Sequence, residues 1–239
     1  MEPLKREDII VNPHNVGWDK SLDVLKVVGS PSRQSMIGFI IDLPNICTLL
    51  GLFSALLGIY FAIQGLFYFA VIGGAWAVLF DWLDGLIASK MKGRTSDDRN
   101  FGGQLDSLVD IVSFGVLPAI ILLSYAGYNP WFLPGAFAII TSCAIRLSYF
   151  NIYGLKEGKS YMGLAVDYNG IIISLAFLFE SFFSQSVFSI GLYTLTMSIV
   201  ALNLASIQIP KFSKKWIYGI AAYVIGITIY LGRMQWLSN

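Results

Sequence analysis

The sequence predicts an all-α polytopic membrane helix bundle with six core transmembrane helices and a further seventh. Three observations carry that expectation. Hydrophobic residues make up 56% of the 239-residue chain and charged residues only 13%, against about 25% charged in an average soluble domain. The apolar residues gather in runs near the length of a membrane span. The basic residues fall almost entirely in alternate loops. With a mean hydropathy of +0.66, this composition argues against a disordered chain, a nucleic-acid-binding tail and a soluble enzyme. Membrane lipids are expected neighbours, and no nucleic-acid partner is expected. Aromatics at 15% fit interfacial belts.

Residues 1–43 form a polar N-terminal arm. Residues 1–8 are charged, so no secretory signal peptide begins here. Trp18, Leu22, Leu25 and Val28 recur at roughly helical spacing, with Lys20, Asp23 and Lys26 between them. They form either a short amphipathic helix on the membrane surface or part of a solvated arm. Residues 44–233 form the transmembrane domain, with helices expected near 44–62, 66–91, 102–126, 129–150, 167–184, 187–207 and 215–233. A span needs about 20 mostly apolar residues, and the fifth and seventh runs are the shortest. Pro44 suits a first helical turn. Gly127, Asn129 and Pro130 punctuate one turn, and residues 154–160 mark another. Cys47 and Cys143 both lie in apolar runs and are expected to be small buried hydrophobes rather than a disulfide.

A seven-helix layout sorts the basic residues. One side holds Lys5, Arg6, Lys20, Lys26, Arg33, Lys90, Lys92, Arg94, Arg99, Arg146, Lys156, Lys159, Lys211, Lys214 and Lys215, and the other only Arg233. The positive-inside rule then predicts a cytoplasmic N-terminus in the plasma (cytoplasmic) membrane. Lys214 and Lys215 are expected to anchor at lipid headgroups.

Four carboxylates interrupt the second and third runs. Asp81 and Asp84 are three residues apart, and Asp106 and Asp110 are four apart, so each pair shares a helix face. Both pairs lie near the basic end of their helices and can face each other across an antiparallel hairpin. An aspartate at mid-helix costs roughly 2.5–3.5 kcal/mol, less toward the interface. Four unpaired ones cost on the order of 10 kcal/mol, as much as the whole stability of many proteins. No lysine or arginine lies within either apolar stretch to offset that cost. Hard divalent cations do so naturally, because oxygen-only sites suit Mg2+, Mn2+ or Ca2+. Two such ions balance four carboxylates and bind phosphate oxygens in turn. A water-filled crevice, or a cation-conducting or proton-coupled site, is the alternative. Gly85, Gly102 and Gly103 flank the aspartates, where missing side chains let a ligand approach the backbone or let helices touch.

The stretch Asp81-x-x-Asp84-Gly85-x-x-Ala88, followed by Gly102-x-x-x-Asp106-x-x-x-Asp110, resembles the signature of the CDP-alcohol phosphatidyltransferase family. Pro44-Asn45-x-x-Thr48 looks like that family's first-helix opening. The run from Leu105 through Ala119, Arg146 to Asn151, and Met162-Gly-Leu164 are similar to its phosphatidylserine synthase branch. The resemblance covers roughly residues 37–185. Three departures stand out. Ser89, followed by Lys90, replaces the arginine usual after the alanine. The spacer to Gly102 is longer than usual, reminiscent of bacterial phosphatidylcholine synthases, and carries Arg94, Asp97, Asp98 and Arg99. Residues 163–169 read Gly-Leu-Ala-Val-Asp-Tyr-Asn, where the serine branch usually has prolines.

The resemblance implies transfer of a phosphatidyl group from CDP-diacylglycerol to a small polar alcohol, with L-serine first and CMP released. Choline, inositol phosphate or glycerol phosphate are alternative acceptors, and the donor and acceptor can also be reversed. It implies two divalent ions, Mn2+ or Mg2+, held by Asp81, Asp84, Asp106 and Asp110, with Asp110 also the base. It implies that Asp84, Gly85, Ala88, Gly102 and Asp106 accommodate the nucleotide, and that the enzyme is a homodimer. Asn45, Thr48, Arg94, Arg99, Arg146 and Asn151 are candidate substrate or phosphate contacts, and Lys90, Arg94 or Arg99 candidate replacements for the missing arginine. Arg146 is read either as binding an acceptor carboxylate or phosphate, or as a membrane anchor. Asp167 is read as an ammonium contact, alongside Asn169, or as an N-cap. Glu180 is expected at the outer interface, and the single histidine, His14, is not expected to be catalytic. A cation transporter is the competing class. Such a protein should carry paired broken helices in repeated halves, and the sequence has one acidic hairpin without a second copy.

Overall fold

Pro44 opens the first long helix for a local reason. A first helical turn has no acceptor for the N–H that proline lacks. In the computed structural model, which describes residues 35–154, 160–210 and 216–238, α2 (Leu43–Ile63) begins there. A one-turn helix, α1 (Met36–Ile40), precedes it and spans the junction of two units, Met1–Gly38 and Phe39–Asn239. The arm helix expected around Trp18–Val28, and His14, lie outside the described residues.

Helix α3 (Phe67–Lys90) returns along α2. A Cβ on Gly73 would stand 2.7 Å from the Ser54 carbonyl oxygen and 2.9 Å from Gly58 Cα. The hairpin is therefore closed backbone to backbone, as small residues allow between membrane helices.

The third run starts earlier than the apolar pattern suggests. Thr95 caps α4 (Ser96–Ile111) through a reciprocal pair: the Asp98 N–H donates to Thr95 Oγ1 at 3.1 Å, and the Thr95 N–H to Asp98 Oδ2 at 2.9 Å. That capping box adds a polar helical turn before the apolar stretch. A π turn at Val112–Val116 then leads into α5 (Leu117–Tyr125). Pro118 has no N–H to offer the Phe114 carbonyl four residues back. The buried Asn169 Nδ2 donates to that carbonyl at 3.0 Å and Cys143 Sγ at 3.3 Å. The defect is thus satisfied from two other helices. Asn169→Leu should leave the carbonyl with only the weak thiol donor and cost about 1–3 kcal/mol. A lowered thermal midpoint in detergent checks this, and an unchanged midpoint contradicts it.

A 3-10 turn (Pro130–Phe132), capped by Asn129 Oδ1, opens α6 (Leu133–Tyr153). Strand β1 (Ser160–Met162) follows, then α7 (Asp167–Phe177), a 3-10 turn (Glu180–Phe182), α8 (Gln185–Leu204), β2 (Gln208–Pro210) and α9 (Ile217–Ser238). The two short strands pair antiparallel with Tyr161 opposite Ile209, a link that no three-residue stretch announces in sequence.

Among the described residues, six helices are long and apolar enough to cross a membrane: Leu43–Ile63, Phe67–Lys90, Ser96–Tyr125, Pro130–Tyr153, Gln185–Leu204 and Ile217–Leu237. The chain is an all-α integral membrane protein, as expected. The helix expected over 167–184 ends at Phe177. Its 11 residues rise only about 16 Å, because it starts at the depth of the carboxylates, where Trp82 Nε1 donates to Asp167 Oδ2 at 2.8 Å. Its far end reaches the opposite end of the bundle. There Glu180 accepts from the Tyr68 hydroxyl at 2.5 Å and the Tyr125 hydroxyl at 2.6 Å. Glu180, expected at the interface, thus clamps the start of α3 to the end of α5.

The last helix runs from Ile217, beside the carboxylates, past Thr228, whose Oγ1 accepts from Trp76 Nε1 at 3.1 Å. Arg233 therefore lies toward the end away from Lys90, Lys92, Arg94 and Arg99. Both cysteines are buried and free, as read from the sequence.

Candidate active site in the α3–α4 hairpin

Helical spacing alone turns Asp81 and Asp84 to one face of α3, and Asp106 and Asp110 to one face of α4. Packing brings the faces together. One carboxylate oxygen from each of Asp81, Asp84 and Asp106 lies within 4.8 Å of the others. Asp110 is buried in α4 and contacts the Asp81 carboxyl. Asp84 stands six residues before the end of α3, or about 9 Å of helix rise. The cluster is therefore inside the bundle, not at its rim.

The donors are all oxygen, which suits a hard divalent cation. A second observation agrees. Ser113, one helical turn beyond Asp110, is 2% exposed and its hydroxyl has no hydrogen-bond partner. It lines a void of about 10 Å3 together with the four carboxylates. A buried hydroxyl and four acidic groups around so small a space form a surround that a cation would satisfy. The residues present fit a metal ion. Thr48 steadies this wall, its hydroxyl 2.5 Å from Asp84 Oδ2 and 3.1 Å from the Pro44 carbonyl oxygen.

The four aspartates also face a larger cavity of about 480 Å3. Gly85 and Gly103 open on it, and a Cβ at either would meet nothing within 4 Å. Gly102 serves differently. A Cβ there would lie 2.9 Å from Arg94 Nη2 and 3.0 Å from Asn45 Oδ1, so its missing side chain makes room for the protein's own groups. Ala88 does not line the cavity.

Arg94 and Arg99 do not line it either. Arg94 Nη2 pairs with Asp42 Oδ2 at 2.7 Å and donates to the Asp98 carbonyl at 3.1 Å, which locks the α3–α4 loop to the start of α2. Asn45 Nδ2 donates to the Phe39 carbonyl at 2.8 Å. Arg99 and Lys90 are exposed. Ser89 itself borders the cavity.

The opposite wall comes from α6 and α7. Arg146 lies two turns inside α6, which continues to Tyr153 rather than ending near residue 150. It is 6% exposed, donates through Nε to the Leu164 carbonyl at 2.9 Å, and lies over the Phe150 ring. A buried arginine on a cavity is not the interfacial anchor that the charge count allowed. Asn151 Nδ2 donates to Ser107 Oγ at 3.1 Å, bridging α6 and α4 beside the cavity. Asp167 faces the cavity as the first residue of α7, with Val166 in the capping position. Asn169 does not face it; its amide serves Phe114.

Ser107, Ser113 and Trp82 join the site beyond the residues that the motifs single out. Ser113 is legible in the sequence, since Asp106, Asp110 and Ser113 continue one helical face at intervals of four and three. Ser107 and Trp82 carry no such signal, because their roles depend on partners 44 and 85 residues away.

A family model described as CDP-alcohol phosphatidyltransferase matches residues 41–228. The chain is 35% identical over 172 residues to the archaetidylserine synthase of Methanothermobacter thermautotrophicus, covering 72% of this chain and 70% of that one. It is 31% identical over 193 residues to a CDP-diacylglycerol–serine O-phosphatidyltransferase of Methanocaldococcus jannaschii, covering 80% and 83%. A phosphatidylcholine synthase of Rhizobium meliloti is 31% identical over 133 residues, covering 55% and 54%. These matches leave no room for the transporter reading. With the acidic hairpin folded into one cavity and a match spanning nearly all the transmembrane helices, the chain belongs to the CDP-alcohol phosphatidyltransferase family.

Proposed function

We propose that this chain transfers a phosphatidyl group from CDP-diacylglycerol to L-serine and releases CMP. The observation that carries this reading is the cavity in which Asp81, Asp84, Asp106 and Asp110 face Arg146 and Asp167. The names of the relatives support serine over other alcohols. Two divalent ions, Mn2+ or Mg2+, would be held by the four aspartates; when bound, they neutralise charge on the pyrophosphate oxygens. Asp84, Gly85 and Asp106 border the space for the cytidine phosphate. Asp110 takes the proton of the acceptor hydroxyl. That oxygen bonds to the phosphorus bearing the diacylglycerol, the bond from this phosphorus to the CMP oxygen breaks, and CMP leaves.

The carboxylate end faces the cytoplasm in this proposal, where serine and CMP are soluble and the acyl chains stay in lipid. Fifteen of the sixteen basic residues support that orientation in a plasma membrane. Residues 1–43 form the cytoplasmic arm and 44–233 the transferase domain. A homodimer follows from the family resemblance.

The test is CMP release by purified protein given CDP-diacylglycerol, Mn2+ and a panel of serine, choline, inositol phosphate and glycerol phosphate. Serine should support release, and EDTA should stop it. Release with choline alone would overturn the serine assignment. No release with any alcohol would overturn the enzyme reading.

A further inference from the structure

A serine or threonine buried in an apolar helix can turn its hydroxyl back onto a carbonyl of the preceding turn. Thr48, Ser124, Ser142, Ser174, Ser189 and Thr196, all buried, do so at 2.7–3.1 Å. Ser113 is the exception among the described buried hydroxyls. It is 2% exposed, nothing accepts from its hydroxyl, and it lines the void of about 10 Å3 bounded by Asp81, Asp84, Asp106 and Asp110. The backbone beneath it is unusual as well. Ser113 lies in the π turn Val112–Val116, a widened turn of a kind frequent at functional sites. Asn169 and Cys143 hold that turn through their donors to the Phe114 carbonyl. The void is too small for the hydration shell of a divalent ion, since one water alone needs about 10–15 Å3. An ion resting against this side of the cluster therefore takes protein oxygens in place of waters.

We propose that Ser113 is a further oxygen ligand of the metal centre, alongside the four aspartates. The assignment rests on the two-ion reading of those aspartates and extends it by one neutral donor. Ser113 borders the small void but not the larger cavity, so its oxygen serves the ion and not the substrates. The chemistry of a hydroxyl suits the place. It is a hard oxygen of the kind that Mg2+ and Mn2+ prefer, and it adds no charge where four carboxylates already balance two ions. A fifth carboxylate would leave a net negative charge buried. Thr48 provides the contrast on the same void. Its hydroxyl lies 2.5 Å from Asp84 Oδ2 and so braces a ligand, whereas none of the four carboxylates accepts from Ser113. A hydroxyl left unpartnered among acceptors destabilises the fold, and an ion on the void would remove that cost by taking the oxygen as a ligand.

The experiment measures metal binding without substrates, on full-length protein in detergent, from the EPR signal of free Mn2+. Ser113→Ala should weaken Mn2+ binding by about tenfold or more, since losing even a group that only supports a ligand costs about 10–100-fold. The thermal midpoint of this variant without metal should stay level or rise, because the change removes a buried hydroxyl that has no partner. Only the gain in midpoint on adding Mn2+ should shrink. Ser113→Cys replaces the oxygen with a soft sulfur, so displacement of Mn2+ by the soft ion Cd2+ should give a Cd2+-to-Mn2+ affinity ratio about tenfold above wild type. Wild-type protein carries Cys47 and Cys143 and so controls for other thiols. Unchanged Mn2+ affinity in Ser113→Ala would overturn the assignment. An unchanged ratio in Ser113→Cys would do the same, by reducing Ser113 to an indirect support. Where Ser113→Ala does not fold, the Ser113→Cys ratio decides, and loss of folding in both variants would make Ser113 structural and overturn the assignment. Wild-type protein that binds no Mn2+ would overturn the two-ion reading first, and the assignment with it.

Discussion

Asp110→Asn is expected to lower CMP release by at least about 10²-fold, since a positioned general base contributes about 10²–10⁴-fold. The protein should remain folded, because asparagine has nearly the same shape and still offers an oxygen to the buried wall it shares with Asp81 and Ser113. Two roles for Asp110 can be separated. If it serves only as a ligand, the amide oxygen keeps part of that function and rising Mn2+ restores the rate. If it accepts the hydroxyl proton, saturating Mn2+ leaves the rate low. The measurement is the initial rate across a Mn2+ titration, with the elution volume and thermal midpoint as controls for folding. Recovery to the wild-type rate at high metal would refute the base assignment.

Gly163→Ala is expected to weaken the fold and the acceptor wall together. Gly163 has φ +72°, a conformation that costs an ordinary residue roughly 1–2 kcal/mol. An added Cβ would also overlap the Asn203 carbonyl oxygen and stand 3.2 Å from the Ala205 carbonyl oxygen. Both obstacles are backbone at the end of α8, so neither can swing aside, and overpacking of this kind costs about 1–3 kcal/mol. The relief available is to lift residues 163–166 from α8. That movement would carry the Leu164 carbonyl away from Arg146. The thermal midpoint should fall by several degrees, and the KM for serine should rise more than that for CDP-diacylglycerol. A lowered midpoint with both KM values unchanged would show that the segment is structural only.

Much of the site was legible in the chain because its strongest features are local. Asp81 with Asp84, and Asp106 with Asp110, sit at helical intervals that put each pair on one face whatever surrounds them. Their cost in an apolar run already called for compensation, which hard divalent cations supply naturally. Pro44, Cys47 and Cys143 likewise behave as their immediate neighbours suggest. The arginine question was not local. Arg94 lies close in sequence to the aspartate motif, yet it turns to Asp42, which the fold of α2 brings beside it. Nearness along the chain said nothing about which carboxylate it would find.

The sequence by itself determined the membrane class, the run of long apolar helices, the clustering of basic charge in alternate loops, and the carboxylate motif. Each of these depends on composition or on helical periodicity, which need no tertiary contact to operate. Only the tertiary structure decided where the helices yield. The π turn before Pro118 is tolerated because Asn169 and Cys143 supply donors to the Phe114 carbonyl. The short α7 begins at the depth of the cluster because Trp82 meets Asp167 there, and its far end is held by Glu180 between two tyrosines. These are long-range hydrogen bonds in a medium without water to replace them. With the bond from Arg146 to the Leu164 carbonyl, they set Arg146 and Asp167 together in the wall that faces the four aspartates.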